Sequence, residues 1–115
     1  MSKNNSLVDV GIIRKMLYDE DAYVKEFSQA SIQSFSEFKS NFKESLLSRD
    51  IEALRRAGHK IKPVAMMLNL DPVINMYEKS KTYIEENRST EELADLANEM
   101  DLYCNQILSE FKELI

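Results

Sequence analysis

The sequence predicts an all-helical fold: an antiparallel up-down-up-down four-helix bundle with a short additional N-terminal helix. Three observations predict it. The 115 residues include only two glycines and two prolines, too few for a turn-rich β architecture. Apolar residues recur at intervals of three and four over long stretches. Helix-capping residues punctuate those stretches at short intervals, and short loops make consecutive helices antiparallel neighbours.

The first helix spans about residues 8–17, with Asp9 as a cap and Val8, Ile12, Ile13, Met16 and Leu17 on one face. It packs as a lid on the bundle, which occupies about residues 19–115. The acidic group Asp19, Glu20 and Asp21 starts the second helix, since carboxylates favour N-terminal turns. Its inner stripe is Val24, Phe27, Ser31, Phe35, Phe38 and Phe42, the pattern of a core-facing helix. Asp50 caps the third helix, whose inner stripe runs Ile51, Leu54, Gly58, Ile61, Ala65, Leu68. Asp71-Pro72 starts the fourth, with Asp71 as cap and Pro72 at the first helical position. That helix reaches about Glu86 through Val73, Met76, Tyr77 and Ile84. Ser89 and Glu92 form a capping box for the fifth, which carries Leu93, Leu96, Met100, Tyr103, Ile107, Phe111 and Leu114. Cys104 lies beside this stripe and reads as a buried structural thiol. Residues 1–115 form one domain, without repeat, low-complexity tract or long linker.

Composition bounds the function. The net charge of −5 argues against a general nucleic-acid binder. No apolar run approaches the roughly 18 residues of a membrane span, and Met1 to Asn5 lacks the apolar stretch of a signal peptide. A single cysteine cannot form an internal disulfide, so a reducing compartment, most simply the cytoplasm, is expected. With two glycines there is no phosphate cradle and no nucleotide-binding kinase domain.

One histidine, His59, remains for chemistry. Between Ala53 and Leu70 there is no Asp or Glu, and the same stretch holds Arg55, Arg56, Lys60 and Lys62. On a wheel of 100° per residue His59 lies roughly 130° from the centre of the inner stripe, so it should be at least partly exposed. Arg55, Arg56, Lys62, Pro63 and Met66 share or flank its face. Neutral imidazole is a good nucleophile, and the cations would favour a phosphoryl group attached to it. A bland reading stands beside this one: a solvated basic face with an incidental histidine. A metal site is disfavoured, because one histidine among cations repels a metal ion. Pro63 is four residues after His59, so it removes the hydrogen bond to the His59 carbonyl and should bend or loosen that turn, or else divide the segment into two shorter helices.

The run Ala57-Gly58-His59-Lys60-Ile61-Lys62-Pro63 resembles the phosphorylation motif of histidine-containing phosphotransfer (HPt) domains: His, any residue, Leu or Ile, Lys, then usually Gly. The resemblance implies that His59 is the phosphoacceptor, that Lys62 stabilises the phosphoryl group, and that Lys60 gives electrostatic support. Pro63 replaces the usual glycine, and Asn69 stands where a second glycine is often found; both changes bear on docking geometry. In the similar helix of dimeric sensor kinases an acidic residue usually follows the histidine, where this chain has Lys60. A chemotaxis-kinase phosphotransfer module fits the same residues.

The resemblance further implies a phosphocarrier of a multistep two-component phosphorelay, with no kinase activity of its own. Its partners would be response-regulator receiver domains and a sensor or hybrid histidine kinase. It would be a monomer with no cofactor in this chain, the magnesium ion belonging to the partner receiver. Arg55, Arg56, Pro63, Met66 and Met67 are the candidate docking residues, with the two methionines supplying an adaptable apolar centre. Filling of gaps in the bundle core is the competing role for Met66 and Met67. The alternative function is a non-catalytic helical adaptor that binds a signalling partner through its basic face.

Overall fold

The computed structural model describes residues 6–115; Met1–Asn5, on which the expectation of no signal peptide rests, lie outside them. Helices account for 81% of the described residues, which contain no strand. They are α1 (Val10–Met16), α2 (Asp21–Leu47), α3 (Ile51–Met67), α4 (Asp71–Glu85) and α5 (Thr90–Lys112). The longest dimension, 47 Å, is close to the ~40 Å that a helix the length of α2 spans at about 1.5 Å per residue.

The stripes become the core. Val24, Phe35, Phe38 and Phe42 of α2 are buried, as are Leu54, Ala57, Ile61 and Ala65 of α3. They meet Val73, Met76 and Tyr77 of α4 and Leu93, Leu96, Met100, Ile107 and Phe111 of α5. The Phe111 ring stacks on Phe35 at 6.3 Å and meets Phe27 edge-on at 6.1 Å, geometries that aromatic quadrupoles favour. Helix α2 packs against α3 and α5, and α4 packs against the same two. Two buried hydroxyls bond within their own helices: Ser28 donates to the Val24 carbonyl and Ser80 to that of Tyr77. Tyr103, assigned to the inner stripe, is only half-buried, while Cys104 and Leu108 are fully inside. Burial, with Asp101 adding to it, pushes the Cys104 thiol up to about 12, so the thiolate is scarce and the group is structural.

The caps follow the local sequence with one exception. The side chains of Asp9, Asp50 and Ser89 accept from Ile12, Ala53 and Glu92 amides respectively. The Ser89–Glu92 capping box is complete. Asp71, expected to cap α4, is instead its first helical residue, and the cap position belongs to Leu70, which makes no side-chain bond. Leu70 is fully buried, so core packing moves the boundary one residue back. Asp71 then acts on the helix dipole from the first turn.

The chain reverses without glycine. Tyr18, Arg49, Asn69 and Asn87 each take a left-handed conformation, φ 55–59°, just past a helix end. Around three of them the same bond pair recurs. Asp50 N–H donates to the Ser45 carbonyl and Arg49 N–H to Leu46; Leu70 to Ala65 and Asn69 to Met66; Arg88 to Tyr83 and Asn87 to Ile84. These are Schellman closures, in which glycine is the usual left-handed residue. After α1, Asp19 N–H likewise donates to the Arg14 carbonyl. The α2–α3 and α4–α5 turns are joined directly by Arg49 Nη2, which donates to the Arg88 carbonyl.

Helix α1 is fastened at its start. The Glu110 carboxylate of α5 accepts the backbone N–H groups of Leu7 and Val8 at 2.7–3.0 Å. Val8 and Ile13 are buried against the core, and Arg14 clamps Asp19 and Asp21.

Tyr18 is 83% exposed at φ 58°, so its ring contributes little while its backbone is strained. Tyr18→Gly should raise stability by about 0.5–1 kcal/mol, the left-handed cost of roughly 1–2 kcal/mol less the added chain entropy of glycine. Tyr18→Ala keeps the strain and should give no such gain. Urea unfolding midpoints of the two variants check this; equal midpoints would remove the strain argument.

Candidate functional site

His59 sits near the middle of α3, and its side chain is exposed. The helix is continuous from Ile51 to Met67 with Pro63 inside it, so Pro63 does not divide the segment. The missing proline N–H still leaves the His59 carbonyl without its helical donor. Arg55, Arg56, Lys60, Pro63, Met66 and Met67 are also exposed. Met66 is 59% and Met67 43% exposed, which excludes the core-filling role for both.

The exposed face has three strips. Arg55, His59, Pro63 and Met66 form the crest at intervals of three and four. Toward α2 stand Arg56 and Lys60, which line an open groove of about 290 Å³ with Asn41 and Glu44 of α2. Lys60 also lines a smaller hollow with Glu37 and Phe38. Among the described residues Arg55, Arg56 and Lys60 make no ion pair. Toward α4 stands Lys62, half-buried, with its Nζ 3.7 Å from Glu78 Oε2. The site residues named from sequence therefore share one face of α3, but they divide between its α2 and α4 flanks and do not converge on a single point.

What sequence reasoning missed comes from α4. A Cβ at Gly58 would lie 2.1 Å from Tyr77 Cζ and 2.3 Å from its Cε1, well inside van der Waals contact. The Tyr77 ring thus rests on bare backbone one residue from His59. It is buried, and Lys81 Nζ lies 4.8 Å from its centroid, within cation–π range. Lys81 also pairs with Glu78 Oε1 at 3.0 Å. Hydrogen bonding from Lys81, aided by charge from Lys81 and Lys62, holds the Glu78 carboxyl below its ordinary range. The available signal for this cluster was Gly58 itself: a glycine on an inner stripe leaves room for a large neighbour.

Asn69 is the left-handed closing residue of α3. Asparagine tolerates that conformation better than most residues, so the α3–α4 turn keeps a geometry that glycine also serves. Among the described residues no group of three or more His, Cys, Asp or Glu side chains could hold a metal ion. No helix there is long and apolar enough to cross a membrane. No family model, curated protein or solved structure matches the chain.

Gly58→Ala should destabilise the protein by on the order of 1 kcal/mol or more. Overpacking costs roughly 1–3 kcal/mol, against the ~1 kcal/mol by which alanine is the better helix former. In a Tyr77→Leu background the same change should cost less or become favourable. A double-mutant cycle on urea midpoints measures the coupling, and strict additivity would mean that the ring does not govern this position.

Proposed function

We propose that this chain is a histidine-containing phosphotransfer domain: a phosphocarrier that accepts a phosphoryl group on His59 from a receiver-domain aspartate and returns it to another. The observation that carries the reading is the exposure of the chain's one histidine within a stretch, Ala53 to Leu70, that has no Asp or Glu and carries four cations. The resemblance of residues 57–63 to the phosphorylation motif supports it. We read the helices as an antiparallel up-down-up-down bundle with α1 as a lid. The short connections and the Arg49–Arg88 link between two turns support that arrangement. The protein works in this reading as a cytoplasmic monomer.

The transfer balances simply. The lone pair of one imidazole nitrogen forms a P–N bond while the P–O bond of the aspartyl phosphate breaks, and the electron pair returns to the carboxylate. The other ring nitrogen keeps its proton. Such transfers have loose transition states, so positioning and charge matter most. The receiver brings its acidic pocket and magnesium ion; this chain brings the nucleophile, Lys62 and Lys60 as nearby cations, and a docking face. Met66 and Met67 form the apolar part of that face, with Pro63 beside them and Arg55 and Arg56 as a basic rim that steers an acidic partner.

Incubation with purified receiver domains charged by acetyl phosphate tests the reading. Acid-labile label should appear on the wild type and be absent from His59→Gln. That variant should keep its helical signal and stability to within roughly 0.5 kcal/mol, as exposed substitutions do. Label on His59→Gln would move the acceptor elsewhere. Receiver binding without label on the wild type would favour the adaptor reading.

Docking separates by salt. Met66→Asp should weaken receiver binding at low and high ionic strength alike, because it spoils an apolar contact. Arg55→Ala with Arg56→Ala should matter chiefly at low salt, since exposed charges are screened over about 8–10 Å. Titrations at two salt concentrations check both, and wild-type affinity for Met66→Asp would place the docking face elsewhere.

A further inference from the structure

Lys62 does not stand free beside His59. Its ammonium is 3.7 Å from Glu78 Oε2, while the other oxygen of the same carboxylate holds Lys81 at 3.0 Å. The arrangement is asymmetric. Lys81 is the more buried lysine, in close contact with Glu78 and near the Tyr77 ring. Lys62 is looser and more exposed, and it shares a partner already taken. Exposed ion pairs are weak, so releasing Lys62 costs little. It lies one helical turn from His59, near enough for its long side chain to change partners.

Resting on the phosphocarrier reading, we propose that Glu78 is a positioning residue: it parks Lys62 in the unphosphorylated protein and yields it to the phosphoryl group on His59, and so sets the balance between phosphohistidine and phosphorylated receiver. A phosphoryl group near neutral pH carries between one and two negative charges on three oxygens. It therefore outcompetes a single carboxylate that keeps Lys81 as compensation. When the group leaves, Glu78 recaptures Lys62. The carboxylate thus opposes the phosphorylated state and favours the return step. A carrier needs that opposition, because a lysine bound without competition would hold the group too well.

The test uses the full chain and the receiver that exchanges label with it in the pairing described above. The equilibrium ratio of phosphorylated His59 to phosphorylated receiver is measured for wild type, Glu78→Gln, Lys62→Ala and the double variant. Glu78→Gln should raise the ratio about two- to fivefold, the range of an exposed ion pair. Lys62→Ala should lower it, and Glu78→Gln should then add nothing. Glu78→Asp, which keeps the charge, should stay near wild type. Circular dichroism confirms that each variant is folded. An unchanged ratio in Glu78→Gln, or an equal rise with and without Lys62, overturns the assignment of Glu78 while leaving His59 as acceptor. Loading with phosphoramidate, which transfers its phosphoryl group and releases ammonia, shows independently whether His59 accepts phosphate. Absence of phosphohistidine from the wild type with both donors overturns the phosphocarrier reading and this inference with it.

Discussion

The contact between the Tyr77 ring and the bare backbone at Gly58 governs the surroundings of His59. It allows α4 to approach α3 closely at one point, and that point is adjacent in sequence to the imidazole. Because Tyr77 is anchored in the core, the next residue on α4, Glu78, is carried to the edge of the α3 face. From there its carboxylate reaches Lys62 on α3. Lys81, one turn further along α4, pairs with that carboxylate and lies near the same ring. The charge distribution around His59 is therefore decided by an apolar packing event. Long-range attraction between exposed ions is too weak and too easily screened to fix helix positions.

The two flanks of α3 differ for the same reason. On the α2 side, Ala53 and Ala57 leave an open groove lined by Arg56 and Lys60, and those cations are unpaired among the described residues. On the α4 side the close approach brings a carboxylate in. His59 stands on the crest between free cations and a shared one. A phosphoryl group placed there would meet positive charge from both directions, and on the α4 side it would compete with Glu78 for Lys62.

Much of the fold was legible because its signals are local. The stripes from Val24 to Phe42 and from Leu54 to Leu68 mark the buried faces, and the Asp50 and Ser89 caps act within one turn. His59 and its basic neighbours were legible as well, since exposure follows from helical period and charge from composition. The remainder depends on contacts that no window of sequence contains. The α4 cap moved to Leu70 because burial outweighed the preference of Asp71. Arg49 and Tyr18 adopt left-handed backbone that their residue types disfavour, so nothing in the sequence marked them as closing residues. Pro63 suggested a break, yet α3 runs through it: leucine, isoleucine and alanine on the inner face hold both halves to the same core. Glu78 stayed hidden because its partner Lys62 lies on another helix, and sequence proximity to His59 covers only α3.

The position of Pro63 gains meaning from that continuity. A proline costs a helix one hydrogen bond, and here the carbonyl left without a donor belongs to His59. The turn bearing the imidazole is thus held less by its own backbone than the turns on either side. Its geometry must come from packing instead: Gly58 against Tyr77 on one flank, and Ala57 and Ile61 within the core beneath it. Glycine at residue 63 would keep the backbone donor but add freedom to the turn; proline gives up the donor and fixes φ. The two residues meet opposite requirements at a position one turn from His59, and both avoid a bulky side chain there. With Asn69 holding the left-handed closure at its end, α3 stays continuous from Ile51 to Met67 and keeps His59 exposed on its crest.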